Sequence, residues 1–305
     1  MRFRSKALGF LIVMVLARRA GAQGSDSSYS IRQGKLSRSY LLHTPPSSAA
    51  RPAPLVILLH GRLGTGPSMA QTTHFNRLAD RVGAVVAYPT GFERSWADGR
   101  GFTPADVHHL DDVGFMVAVI DDVARRRGID RHRVYVAGFS NGAFFTLRLG
   151  CELSDRLAGI GVVAATFSDS LLARCHPARP LPVILIEGTL DPLVPYAGGN
   201  MPGKRGHVQS AETTAAVWVR ANGCSGQFTA RALPDSAGDG TIVKEIRYSG
   251  CPVGAPIALY RIENGGHAWP GGEAFLPEAE VGKVSRNLDA NDALWRFWQE
   301  VHSAP

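Results

Sequence analysis

Val134-Tyr-Val-Ala-Gly-Phe-Ser-Asn-Gly142 is an apolar run that ends in G-x-S-x-G with Ser140 at its centre. A helical pattern, Ala143 to Leu149, begins at once behind it. A strand that stops at Gly138 and passes directly into a helix must turn tightly, lifting Ser140 above the sheet edge at a helix N-terminus. Glycines 138 and 142 leave room for the crowded backbone of such a turn. The pentapeptide has a plainer reading, a helix N-cap serine after a buried strand. What lies around it decides between a nucleophile and a cap.

Working outward, strand-like stretches fall at residues 28–33, 37–42, 54–60, 84–88, 133–138, 157–164, 181–187 and 256–262. Helical periodicity falls at 68–81, 113–127, 143–149, 211–221 and 287–302. Near-continuous apolar strands separated by helices predict an α/β fold with a mostly parallel central sheet and helices on both faces. No linker or internal repeat interrupts the pattern, so residues 23–305 are expected to form one domain. Residues 166–182, between the two strands after the nucleophile, leave no room for a cap domain. The site should therefore be open, which suits a polymer chain or bulky ester.

A serine hydroxyl attacks poorly until a histidine takes its proton and a carboxylate fixes that histidine's tautomer. The strand ending at Gly188 runs into Thr189-Leu-Asp-Pro192, which places Asp191 on a loop at a strand's carboxyl end. The strand ending at Ile262 leads into Glu263-Asn-Gly-Gly-His-Ala-Trp-Pro-Gly-Gly272, with His267 on a loop crowded by glycines. The chain order Ser140, Asp191, His267 is that of the α/β-hydrolase fold. Acyl transfer also needs amide donors for the developing oxyanion, and the backbone N–H groups of Arg62 and Asn141 stand at the expected places. His60, ending a buried strand, reads as a structural histidine under that turn.

Trp295 and Trp298 share one face of the last helix and read as core. Trp96 and Trp269 lie on loops and are expected to rim the site and stack on substrate, with local packing as the alternative. In His108-His-Leu-Asp-Asp112, Asp111 or Asp112 is expected to cap the helix that follows rather than to hold a metal.

The 305 residues are 45% apolar, enough for a large core. The net charge of +7 suggests polyanions, yet Arg2, Arg4, Lys6, Arg18 and Arg19 contribute five of it. Those residues flank an apolar stretch, Ala7 to Ala17, that is followed by Ala20-Gly-Ala22, which together read as a signal peptide cut after Ala22. Arg18 and Arg19 are unusual so close to a cleavage site. The stretch is short of the ~20 residues a membrane span needs, so a periplasmic or secreted chain without a stable membrane anchor is expected. The remaining +2, from scattered side chains, gives no footprint for nucleic acid.

Four cysteines in an exported chain imply two disulfides out of three possible pairings. Sequential pairing, Cys151 with Cys175 and Cys224 with Cys251, is expected. Without any C-x-x-C, a zinc site is not, and no cofactor or metal is implied.

Taken together, Leu58-Leu-His-Gly61, Tyr88-Pro-Thr-Gly91 with Trp96, Asp111-Asp-Val-Gly-Phe115, Gly138-Phe-Ser-Asn-Gly142, Gly188-Thr-Leu-Asp191 and Gly266-His-Ala-Trp-Pro-Gly271 resemble one family. It is the polyhydroxybutyrate depolymerase and feruloyl esterase group of α/β-hydrolases. The resemblance spans nearly all of the chain after residue 22. It implies a secreted serine carboxylic-ester hydrolase with Ser140, Asp191 and His267 as its triad, and it supports the Cys224–Cys251 bond. Where some members carry further cysteines, this chain has Arg62 and Ala97-Asp-Gly99. No binding domain or Ser/Thr-rich linker follows residue 302, which favours soluble oligomers or plant cell-wall esters over crystalline polyester. The rival readings are a serine peptidase on the same scaffold and a silent binding protein, although the latter usually lacks a triad member.

Overall fold

The computed structural model describes residues 23–46 and 52–300. The signal-peptide reading of residues 1–22 lies outside them. The chain opens with a hairpin, β1 (Ser25–Gln33) and β2 (Leu36–Thr44), followed by β3 (Ala53–Leu59). Next come α1 (Gly66–Thr73), α2 (Phe75–Val82), β4 (Val85–Pro89), α3 (Pro104–Val107), α4 (Asp112–Arg127) and β5 (Ile129–Phe139). After the turn at Ser140 follow α5 (Asn141–Glu152), β6 (Gly159–Val163), α6 (Asp169–Leu172) and β7 (Val183–Gly188). The last third holds a small ribbon, β8 (Gly199–Asn200) and β9 (His207–Val208), then α7 (Ala211–Ala221), β10 (Phe228–Ala232), β11 (Ile242–Tyr248), β12 (Ile257–Glu263), α8 (Glu278–Val281) and α9 (Ala290–Glu300).

Ten strands form one sheet in the order β1-β2-β4-β3-β5-β6-β7-β12-β11-β10. The six central strands, β4 through β12, run parallel, and antiparallel strands extend the sheet on either side. Every residue of β3, β4, β6 and β7 is buried. That burial on both faces is why these strands read as unbroken apolar runs. Alternate residues go to opposite faces: Leu55, Ile57 and Leu59 of β3 join the core under α4, α5 and α7. Val56 and Leu58 join the core under α1, α2 and α9. At Gly161 of β6 a Cβ would stand 2.1 Å from Leu294 Cδ2, so the missing side chain lets α9 lie close on the sheet.

Between β6 and β7 the one helix is the four-residue α6, so that connection holds no cap domain. Two strands of the main sheet, and the small β8–β9 ribbon, were not anticipated. β10 is exposed at all five residues and β11 is largely half-buried, so neither carries the apolar signal of the centre.

The disulfides are Cys151–Cys175 and Cys224–Cys251, the sequential pairing. The first ties the last turn of α5 to the segment after α6. The second ties the end of α7 to the turn beyond β11. Each closes a loop of some 25 residues, with sequence separations of 24 and 27. Chain-entropy arithmetic gives about 3 kcal/mol for each. Replacing Cys224 and Cys251 together by serine should lower the unfolding free energy in urea by about that amount; an unchanged midpoint would show that the bond restrains little.

Candidate active site

Ser140 sits at φ 54°, ψ −119°, a backbone region that a residue with a side chain enters only under strain. The turn leaves no alternative. A Cβ at position 138 would lie 2.2 Å from Gly142 O, and one at position 142 would lie 2.3 Å from Leu59 O. Both glycines are required by backbone contact. The Ser140 amide donates to Val163 O of β6 at 2.9 Å, and its carbonyl accepts from Ala143 and Phe144 as α5 begins. Ser140 holds the N-cap position of α5, yet its hydroxyl makes no capping bond. The plainer reading of the pentapeptide, a capping serine, is thereby not what the geometry shows.

Asp191 and His267 are brought together from loops 76 residues apart in the chain. His267 Nδ1 is 2.6 Å from Asp191 Oδ2, and both side chains are buried. With the carboxylate accepting at Nδ1–H, the imidazole presents Nε2 as a base. The other Asp191 oxygen accepts from the amides of Leu193 and Val194 at 2.7 and 2.8 Å, which fixes the carboxylate's orientation. The two loops are laced to each other. Leu190 N donates to Gly265 O, Thr189 N to Ile262 O, and the amides of Gly266 and His267 donate to Lys283 and Val281 carbonyls. The His267 ring packs 5.0 Å from that of Phe139, the residue immediately before Ser140.

The turn after β3 lies against the serine, since a Cβ on Gly61 would be 3.3 Å from Ser140 Cβ. Gly64 N closes it onto Gly61 O at 3.0 Å, and Leu63, at φ 64°, donates its amide to Arg94 O. Among the described residues the backbone N–H groups of Arg62 and Asn141 have no protein acceptor. His60 lies beneath this turn. Its Nε2 accepts from Gly91 N at 2.9 Å and its Nδ1 faces Gly61 O at 2.7 Å. Burial pulls its pKa down to about 4, so it is a neutral strut for the turn.

Trp96 and Trp269 do not rim the site. Their exposures are 0% and 1%. The Trp96 indole stacks on Phe145 at 5.4 Å and donates Nε1–H to His60 O. Trp269 donates Nε1–H to Asn291 Oδ1 on α9. Both indoles are internal packing with their polar edge satisfied, and neither offers a face to substrate.

Several side-chain contacts that hold the site were not anticipated from the sequence. The Asn141 side chain grips the Trp96 loop, accepting from Trp96 N and donating to Trp96 O and to Asp98 Oδ2 at 2.6 Å. Asp98 is fully buried and paired with Arg100, whose guanidinium lies 3.7 Å over the Phe144 ring. Asp112 accepts from Ala97 N and forms a buried ion pair with Arg38 at 2.7 Å. Asp111 is the N-cap of α4, accepting from Gly114 N. A run of two aspartates before a helix signals capping, but not which distant loop the second one ties.

Glu187, near the end of β7, is a further buried carboxyl, bonded to Ala165 N at 3.3 Å. Burial pushes its pKa well above the ordinary carboxyl range; the Ala165 N–H opposes this and the Asp191 charge adds to it.

The architecture and the strand-loop placement of the site define an α/β-hydrolase. The solved acetyl xylan esterase from Aspergillus awamori superposes with a TM-score of 0.61 over 90% of this chain and 99% of its own, at 12% identity, a likeness of fold. The sequence profile of the esterase PHB depolymerase family matches residues 38–192. A putative esterase, NocK, from Nocardia uniformis subsp. tsuyamanensis is 31% identical over 92% of this chain and 84% of its own length. Feruloyl esterase B from Piromyces equi is 30% identical over 71% of this chain, which spans 40% of that longer protein. The chain belongs to the esterase PHB depolymerase family and is a carboxylic-ester hydrolase.

Two outcomes follow from this geometry. Trp96→Ala should cost about 3–5 kcal/mol of folding free energy, since it empties a packed core site; a loss below about 1 kcal/mol with a raised KM would restore the stacking role. Glu187→Gln should match the parent near pH 4 and become progressively more stable than it toward pH 8. A raised carboxyl pKa means that the folded state keeps a proton the unfolded chain gives up, so stability falls as pH rises. Urea unfolding at pH 4, 6 and 8 measures this, and parallel curves would show that Glu187 is ionised like any exposed carboxyl.

Proposed function

We propose that the chain is an exported serine esterase working through an acyl-enzyme. Ser140 is the nucleophile, His267 the base, and Asp191 the group that orients and stabilises the imidazole. The observation that carries this reading is the buried 2.6 Å Asp191–His267 contact, packed against the residue that precedes an uncapped, strained Ser140.

His267 Nε2 takes the Ser140 proton as Oγ attacks the ester carbonyl. The tetrahedral intermediate's negative oxygen turns toward the free amides of Arg62 and Asn141. His267 then gives its proton to the departing alkoxide. Water, activated by the same imidazole, attacks the acyl-enzyme and releases the acid with Ser140 regenerated. Both amides sit on backbone fixed by the Gly61–Gly64 turn and the start of α5, so the donors need no rearrangement when charge develops.

The substrates are esters carried on oligomers or polymers, either feruloyl or acetyl groups on plant polysaccharides or hydroxybutyrate oligomers. The feruloyl esterase and acetyl xylan esterase similarities and the absence of a cap domain between β6 and β7 support this. Residues 1–22 read as the export signal, and two disulfides suit an oxidising compartment.

The test is product release from ethyl ferulate, acetylated xylan, p-nitrophenyl acetate and butyrate, and hydroxybutyrate oligomers, with Ser140→Ala alongside. The variant should lose about 10⁴-fold or more in kcat with its circular dichroism unchanged. Near-normal turnover by Ser140→Ala would remove the serine from the mechanism.

A further inference from the structure

Among the described residues, the exposed aromatic ring that touches the His267 imidazole is neither of the tryptophans. Phe275 belongs to the loop Gly272-Glu-Ala-Phe-Leu-Pro277, which returns from the histidine loop toward α8. It stands 43% exposed beside Leu276 at 41%. Its ring meets His267 edge-on at 6.2 Å and 69°, and meets Phe139 edge-on at 5.3 Å and 73°. With the His267–Phe139 contact, three rings form a closed cluster around the base, and only the Phe275 ring is offered outward. An exposed apolar pair costs solvation free energy, and nothing in the fold among the described residues covers this one.

The chemistry of the site fixes which part of a substrate meets that ring. The carbonyl oxygen turns toward Arg62 and Asn141. The leaving oxygen must lie at the imidazole, because His267 supplies its proton. A ring that flanks the imidazole therefore flanks the alcohol portion and not the acid. We propose that Phe275, with Leu276, is the platform for the alcohol portion of the ester, and that it selects alcohols with a broad apolar face, such as a sugar ring, over short linear ones. The proposal rests on the serine-esterase reading above and adds a specificity-determining residue to it. A sugar ring laid on Phe275 removes apolar area from water on both partners, whereas a methyl group leaves the platform uncovered.

The experiment compares the parent with Phe275→Ala and Phe275→Tyr on three acetates: methyl acetate, benzyl acetate and a mono-O-acetylated methyl xyloside. Reading each ester across the proteins cancels its intrinsic reactivity. The acyl side is read with methyl acetate, butyrate and ferulate. Phe275→Ala should lower kcat/KM about 10-fold for the benzyl and xyloside esters, chiefly through KM, and leave methyl acetate within about twofold. Phe275→Tyr should restore the loss, and the acyl-series ratios should stay as in the parent. An equal loss on all three acetates, carried in kcat, would make Phe275 only a support for His267 and overturn the proposal. Altered acyl-series ratios would place the ring on the acid side and overturn it too. If the parent shows no Ser140-dependent turnover of any ester, the esterase reading fails and takes the platform with it.

Discussion

Holding a serine at φ 54° requires surroundings that resist relaxation, and much of this molecule serves that end. The strand before the turn is the third of six parallel strands and is bonded on both sides, to β3 and β6. The helix after it is buried along nearly its whole length. Between them the backbone is compressed until glycine is the only residue that fits at 138 and 142. The turn cannot open without breaking the Ser140–Val163 hydrogen bond or lifting α5 from its core. A side chain thus rests above the strand ends, although a relaxed backbone would carry it into the capping position.

The same economy governs the loops that surround the serine. None is held by a single contact. The Trp96 segment is bonded to Asn141 and Arg148 of α5, Asp112 of α4 and His60 after β3, three separate parts of the chain. The aspartate and histidine loops share backbone bonds at residues 188–190 and 262–266, so the two side chains move together or not at all. Buried charge in this region is paired, as Asp98 with Arg100 and Asp112 with Arg38. Removing one partner of such a pair leaves a buried charge and is strongly destabilising, which makes the pairs effective fasteners whatever their net contribution. Glu187 stands apart, since its burial is met by a single amide and pushes its pKa well above the ordinary carboxyl range.

Particular residues show where sequence is readable and where it stops. The central strands were legible because burial on two faces leaves only apolar side chains, as in Leu55 to Leu59 and Val183 to Ile186. β10, with Thr229 and Arg231 at an exposed edge, carries no such constraint and was missed. Ser140, Asp191 and His267 could be picked out because each follows a strand end, and strand ends are marked by the change from apolar to glycine-rich sequence. Trp96 and Trp269 were misplaced for a physical reason. A tryptophan beside a functional residue can face out or in, and the choice depends on acceptors for its N–H. Those acceptors, His60 O for one and Asn291 Oδ1 for the other, lie 36 and 22 residues away and leave no trace in local spacing. Phe275 was overlooked by the same logic: its neighbours are His267 and Phe139, and only folding sets it beside them.

These features divide the site into a part that cannot vary and a part that can. The imidazole is positioned by Asp191 and by the amides of Gly266 and His267 on Lys283 and Val281 carbonyls, all backbone or buried contacts. Residues 273–280 span the gap between those anchors and are exposed throughout. Changes there leave the anchors and the buried ion pairs untouched, because none of the side chains at 274–277 takes part in them. The exposed Arg62 side chain is outside those contacts too, since the oxyanion role proposed for this residue falls to its backbone N–H. A fold that fixes the proposed nucleophile and base by backbone, and carries exposed loop side chains outside the buried ion pairs, can change its ester without disturbing its chemistry. Proteins similar to this chain in sequence or in fold are named for feruloyl and for acetyl xylan esters.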